Sequence, residues 1–210
     1  MVVMLLPMNE HSTAPLAELP PDMRPGELAA FKDAVGRCSK YLEFGSGGST
    51  LVALRSSPQR IWSVESDPAW VAKLRVYPEV QSAEASGRLQ FITPQLGTIG
   101  EYGRPLDETT RATWPTYYQA VTSTPGAADA DLFFIDGRFR VACALMVVRH
   151  GSRESTILIH DFWNRPAYHS ALPFLRWRKS VDTLGIFSPA EHFQADEFEA
   201  VLASHQFDRS

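Results

Sequence analysis

Three glycines within four positions, Gly45, Gly47 and Gly48, separate a short apolar run, Tyr41 to Phe44, from a helical one, Leu51 to Leu54. A strand that turns directly into a helix through glycine leaves main chain bare of Cβ atoms, so a ligand can rest on the backbone itself. That turn places the chain among α/β architectures. Ile61 to Glu65, Arg88 to Ile92, Asp131 to Ile135 and Thr156 to His160 read as further strands. Helices are expected from Gly26 to Gly36 on the spacing of Leu28, Phe31 and Val35, and after Asp67 and Pro68, a carboxylate N-cap followed by proline in the first turn. Trp114 to Val121, Val141 to Val148, Tyr168 to Trp177 and Asp196 to Ala203 complete the helical set, and Val181 to Phe187 reads as extended. The strands are continuously apolar rather than alternating, the pattern of strands covered on both faces. The expectation is a doubly wound, mainly parallel sheet of six or seven strands with helices on both faces. Its last hairpin is either compressed into residues 178 to 194 or absent.

The 210 residues, 44% of them hydrophobic, suffice for one domain with a sizeable core. Five prolines fall in the first 25 residues and disfavour regular structure there. Residues 1–25 are therefore expected to form an N-terminal arm and residues 26–210 a single Rossmann-like domain. A net charge of −4 gives no global attraction to nucleic acid or to anionic lipid. Cys38 and Cys143 stand alone, without the spacing of a zinc site or a disulfide framework. No run reaches the roughly 18 apolar residues of a membrane span, and the N-terminus lacks the basic region of a signal peptide. A soluble, cytoplasmic protein is expected.

Glu65 closes the second strand twenty residues after Gly45, the distance at which a carboxylate reaches the ribose of a nucleotide-like ligand. A dinucleotide fingerprint asks for a third glycine where Thr50 stands, and it gives no reason for the acid at Glu43. The pattern Glu43-x-Gly45-x-Gly47-Gly48 resembles motif I of the class I S-adenosylmethionine-dependent methyltransferases. The resemblance runs from about Tyr41 to Phe187. It implies S-adenosylmethionine as cofactor, with Glu43 helping to hold its methionine end, Gly45, Ser46, Gly47 and Gly48 packing under it, and Glu65 on the ribose.

Ligands in open parallel sheets lie beyond the carboxyl ends of the strands, so the residues closing each apolar run are candidates. Asp136 and Arg138 follow one strand, and His160, Asp161, Trp163 and Arg165 another. The resemblance places Asp136 beside the transferred methyl group, with a role in cofactor binding as well. Asp136, His160 and Asp161 are the candidate bases, Arg138 and Arg165 anchors for an anionic acceptor, and Trp163 an acceptor wall. Arg140 is expected to face solvent and Cys143 the core. Some O-methyltransferases of this class bind a divalent metal between two Asp residues spaced like Asp136 and Asp161, but Phe162 stands where their Asn follows. A metal at Asp136 and Asp161 is thus an incomplete match. The loop from Gly97 to Thr113 is long enough to close over the cleft.

The implied activity is methyl transfer to a small-molecule acceptor, with oxygen favoured as the accepting atom. The alternatives are a methyltransferase-like protein that binds cofactor without catalysis, and an NAD-linked oxidoreductase. The expected partners are a small-molecule acceptor, neither nucleic acid nor membrane, and a second copy of the chain if the sheet leaves the acceptor side open.

Overall fold

Five runs too apolar to face water on either side pair in parallel: β1 (Lys40–Phe44), β2 (Arg60–Val64), β3 (Leu89–Ile92), β4 (Leu132–Ile135) and β5 (Thr156–Ile159). The computed structural model describes residues 18–209, and most of the expected arm lies outside them. Two further strands, β6 (Leu175–Val181) and β7 (Leu184–Pro189), form an antiparallel hairpin that docks on β5 through β7. The sheet therefore has seven strands in the order β3-β2-β1-β4-β5-β7-β6. From β1 the chain winds outward one way to β3, then crosses back to β4 and winds the other way. The loops leaving β1 and β4 consequently diverge, which opens a crevice at their carboxyl ends.

Side chains alternate along β1 and divide the core in two. Tyr41 packs with Phe31 and Val35 of α1 (Pro25–Arg37), Leu51 of α2 (Gly48–Leu54) and Val80 of a helix over Pro78–Ala85. Leu42 and Phe44 face Trp114, Tyr117 and the helix over Arg140–His150 on the other side. Each fully buried phenylalanine contributes roughly 1.5–3 kcal/mol, so the two layers hold the strand ends firmly in place. In chain order, α3 (Pro68–Leu74) and α4 (Pro78–Ala85) are followed by the short α5 (Pro115–Tyr118) and α6 (Ala120–Ser123), then α7 (Arg140–His150) and α8 (Ala195–His205). Asp67 caps α3 as expected, its side chain accepting from the Ala69 amide at 2.8 Å. No helix among the described residues is long and apolar enough to cross a membrane.

Two expectations fail. Tyr168 to Trp177 is not an α-helix: a 3₁₀ run over Pro166–Phe174 gives way to β6. Pro173 lacks an amide donor, and the charged side chains after Leu175 sit on an exposed edge strand rather than on a helix face. Arg140 does not face solvent either. Its neighbours Val141–Val148 are all buried, and so is its own side chain. Cys143 is buried in that helix, as expected.

Candidate functional site

The turn after β1 is held from below and pressed from the side. Gly45 adopts φ +95, and a Cβ placed on it would lie 2.8 Å from the Gly137 amide nitrogen, so the exits of β1 and β4 touch. A Cβ on Gly48 would overlap the backbone of Pro20 and Pro21, which crosses the start of α2. Beneath the turn, Glu43 is 0% exposed. Its carboxylate accepts hydrogen bonds from Tyr41 at 2.9 Å, Ser49 at 2.8 Å, Ser63 at 2.6 Å and Thr50. Burial pushes its pKa up to about 7 against the lowering effect of these four hydroxyls. Glu43 does not line the cleft; it ties α2 to β1 and β2.

Above the turn lies a cleft of about 960 Å³, walled by residues 19–23, the turn itself, Glu65–Asp67, residues 100–103 and the exits of β4 and β5. Glu65 borders it. Its Oε2 accepts from the Ser46 amide at 3.1 Å and its Oε1 from the Asp67 amide at 2.9 Å and the Ser66 hydroxyl at 3.3 Å. A carboxylate offers about four acceptor positions, so capacity remains for a ligand hydroxyl. Burial raises its pKa, opposed by those same donors. Residues 100–103 of the long loop border the cleft: the Gly103 carbonyl accepts from the Ser66 hydroxyl at 3.0 Å, and Tyr102, at φ +57, projects 88% exposed at the rim.

The exits of β4 and β5 bring Asp136, His160 and Asp161 together. Asp136 Oδ1 lies 3.0 Å from His160 Nδ1 and 3.0 Å from an Arg140 terminal nitrogen. Neither contact uses Oδ2. The other ring nitrogen of His160, Nε2, is 3.4 Å from Glu27 Oε2. Burial lowers the His160 pKa, but the hydrogen bond and charge of Asp136 and the charge of Asp161 outweigh it and raise it overall. Glu27 is itself buried on α1, and accepts from the Thr183 amide at 2.8 Å, the Thr183 hydroxyl at 2.6 Å and the Arg24 amide at 2.9 Å. Burial raises its pKa, and these donors with the charge of His160 bring it down to about 2.

Arg140 spans the site. It donates to the carbonyls of Asp136, Gly137 and His160 at 2.9, 3.0 and 2.7 Å, and its guanidinium lies 3.8 Å from Asp161 Oδ2. Asp161, in the left-handed region at φ +57, also pairs with Arg165 at 2.9 Å and receives the Asn164 amide at 3.3 Å. A divalent metal does not fit here. A guanidinium contacts both carboxylates, and the described residues contain no group of three or more acids, histidines or cysteines able to hold an ion.

Trp163, expected as an acceptor wall, instead packs away from the cleft against Phe162, His169 and Phe187. Arg138 and Arg165 both line the cleft.

No protein-family model matches the chain, and no curated protein does so. Solved structures do match. One is a methyltransferase-like protein from Silicibacter pomeroyi, 28% identical over 91% of this chain and 98% of its own, with a TM-score of 0.81. The chain has the class I methyltransferase fold. The cofactor-bound Rv0187 from MTB shares it at 20% identity and a TM-score of 0.54, covering 83% of this chain and 85% of its own. So does the SAH-bound Podospora anserina methyltransferase PaMTH1, at 14% identity and 0.54, covering 79% of this chain and 78% of its own. The sequence did not single out Glu27, and it assigned Arg140 to solvent. A signal for Glu27 existed, because it sits four positions before Phe31 on the buried stripe of α1.

Proposed function

We propose that the chain is an S-adenosylmethionine-dependent methyltransferase acting on a small molecule at oxygen. The observation that carries this is the bare main chain of Gly45–Gly47 facing one cleft with the Glu65 carboxylate. A Cβ on Gly47 would meet no atom closer than the Trp70 indole nitrogen at 4.0 Å, so the turn leaves room for a ligand. The cofactor-bound and SAH-bound proteins of the same fold support the cofactor. When bound, S-adenosylmethionine supplies an electrophilic methyl group on a sulfonium that departs as a neutral thioether.

The residues of the chain then have three tasks. Gly45, Ser46 and Gly47 cradle the cofactor on main chain, with Ser46 held by Glu65 and by Trp70, whose indole donates to its carbonyl at 2.9 Å. Glu65 accepts from the ribose. Asp136 Oδ2 takes the proton of the acceptor hydroxyl as the oxygen–methyl bond forms, and His160 and Arg140 on Oδ1 fix the carboxylate plane. Both ring nitrogens of His160 are engaged by carboxylates and its pKa is raised, so it positions Asp136 instead of taking the proton itself. Asp161 holds Arg165 at the rim.

Calorimetry with S-adenosylhomocysteine and turnover with radiolabelled methyl donor test the proposal together. Binding of S-adenosylhomocysteine but not NAD is expected. Asp136→Asn is expected to lower turnover by about 10²–10⁴ while leaving the S-adenosylhomocysteine Kd within roughly threefold. Full turnover in that variant would remove Asp136 from the chemistry, and failure of the wild type to bind S-adenosylhomocysteine would sink the whole reading.

A further inference from the structure

The acceptor end of the cleft carries one arginine too many. Asp136 is met by Arg140 and His160, Asp161 by Arg165 and Arg140, and Glu27 by His160. Arg138 meets no carboxylate among the described residues, although it lines the same cleft. Among the described residues its terminal nitrogen reaches the Arg209 carbonyl, at 3.3 Å, and its Nε is buried with no hydrogen-bond partner. An unmet buried donor is destabilising, and a charged one more so. Burial and the neighbouring charges of Arg140 and Arg165 both work against its protonated form. A guanidinium lining the cleft in this position matches an oxyanion.

We infer that Arg138 selects an acceptor bearing a carboxylate or phosphate group beside the hydroxyl that is methylated. The inference rests on the methyl-transfer reading for the identity of the reacting group, but not for the oxyanion site. Two features of the site specify such a molecule jointly. Asp136 has an oxygen free to take a proton, which a carboxylate acceptor would not need to give up. The Arg138 guanidinium, which meets no carboxylate among the described residues, calls for a fixed negative charge. A hydroxyl acid or a phosphorylated alcohol satisfies both, with the anion serving as handle and the hydroxyl as nucleophile. Arg165 is already committed to Asp161 and adds only long-range attraction.

The test uses wild type, Arg138→Gln and Arg138→Lys, each loaded with S-adenosylhomocysteine and titrated with benzoate, with inorganic phosphate and with benzyl alcohol as the uncharged match. Wild type is expected to bind benzoate or phosphate at least tenfold tighter than benzyl alcohol, the stronger of the two naming the anion. Arg138→Gln should lose that preference while its S-adenosylhomocysteine Kd stays within threefold. Arg138→Lys keeps the charge without the fork and should retain a reduced preference, which preserves the test if the glutamine variant melts early. Equal binding of the three probes to wild type, or an unchanged oxyanion preference in Arg138→Gln, overturns the inference. Should wild type refuse S-adenosylhomocysteine yet bind oxyanions through Arg138, the methyl-transfer reading falls and the oxyanion site stands.

Discussion

Replacing Glu43 by Gln should change how stability depends on pH more than it changes stability itself. The carboxyl is 0% exposed and four hydroxyls point at it. Its pKa rises from an ordinary 4.5 to about 7 on folding. A group raised in this way contributes stability that is fully present below the unfolded value and is lost as pH climbs through the folded one. At about 1.4 kcal/mol per pH unit, the interval between 4.5 and about 7 amounts to roughly 3 kcal/mol of stability given up between pH 4.5 and 8.5. Glutamine keeps the shape and has no proton to lose. The hydroxyls can rotate to accept from its amide, so near pH 5 the variant should lie within about 1 kcal/mol of wild type. Urea titrations of both proteins from pH 5 to 8.5 measure the difference directly, and subtraction removes His160 and Glu65, whose raised pKa values act in the same direction. The two stability curves should converge or cross by roughly 3 kcal/mol over that range. Parallel curves would refute the argument, because they would mean that Glu43 keeps the same charge in both folded and unfolded chains.

Two further outcomes follow from the same geometry. Gly45→Ala sets a Cβ at φ +95 against the Gly137 backbone at 2.8 Å and should cost about 3 kcal/mol or more, seen as a fall of roughly 6–12 °C in Tm; a fall of under about 2 °C would show that the β1 and β4 exits yield easily. Glu27 is lowered from 4.5 to about 2, so its contribution is present above 4.5 and is lost as pH falls toward 2; Glu27→Gln should flatten the acid limb of the stability curve by about 2–3 kcal/mol, and an unchanged limb would place its partners elsewhere.

The five parallel strands, the turn and the Asp67 cap were legible because each is specified locally, by an apolar run or by a residue that only its own turn requires. The C-terminal hairpin was harder to read. β6 has one buried end and an exposed stretch with Arg176, Arg178 and Lys179, so it lacks the pattern of a covered strand, and the register shift between Trp177 and Lys179 blurs its period further. α4 offers only Val80 and Ala83 to the core, too few to register as an amphipathic helix. Strand ends marked Asp136 and His160 as candidates, and the fold sets them 3.0 Å apart. What sequence could not supply was the identity of their partners: Arg140 looks like the polar start of an apolar helix, and Glu27 lies 133 residues before His160. Such pairings depend on tertiary placement, which no local window contains. Glu43 carried a motif, but the motif did not say on which side of the turn its carboxylate would lie.

The bond between Glu27 and Thr183 joins positions 156 residues apart, across most of the length of the chain. A nascent chain that has produced β1 through β5 already possesses every parallel strand and the glycine cradle. It does not yet possess the hairpin turn that locks Glu27 behind His160. The Asp136 and His160 end of the crevice is thus fastened after the glycine turn, and incomplete molecules would have the turn before they have a secured His160.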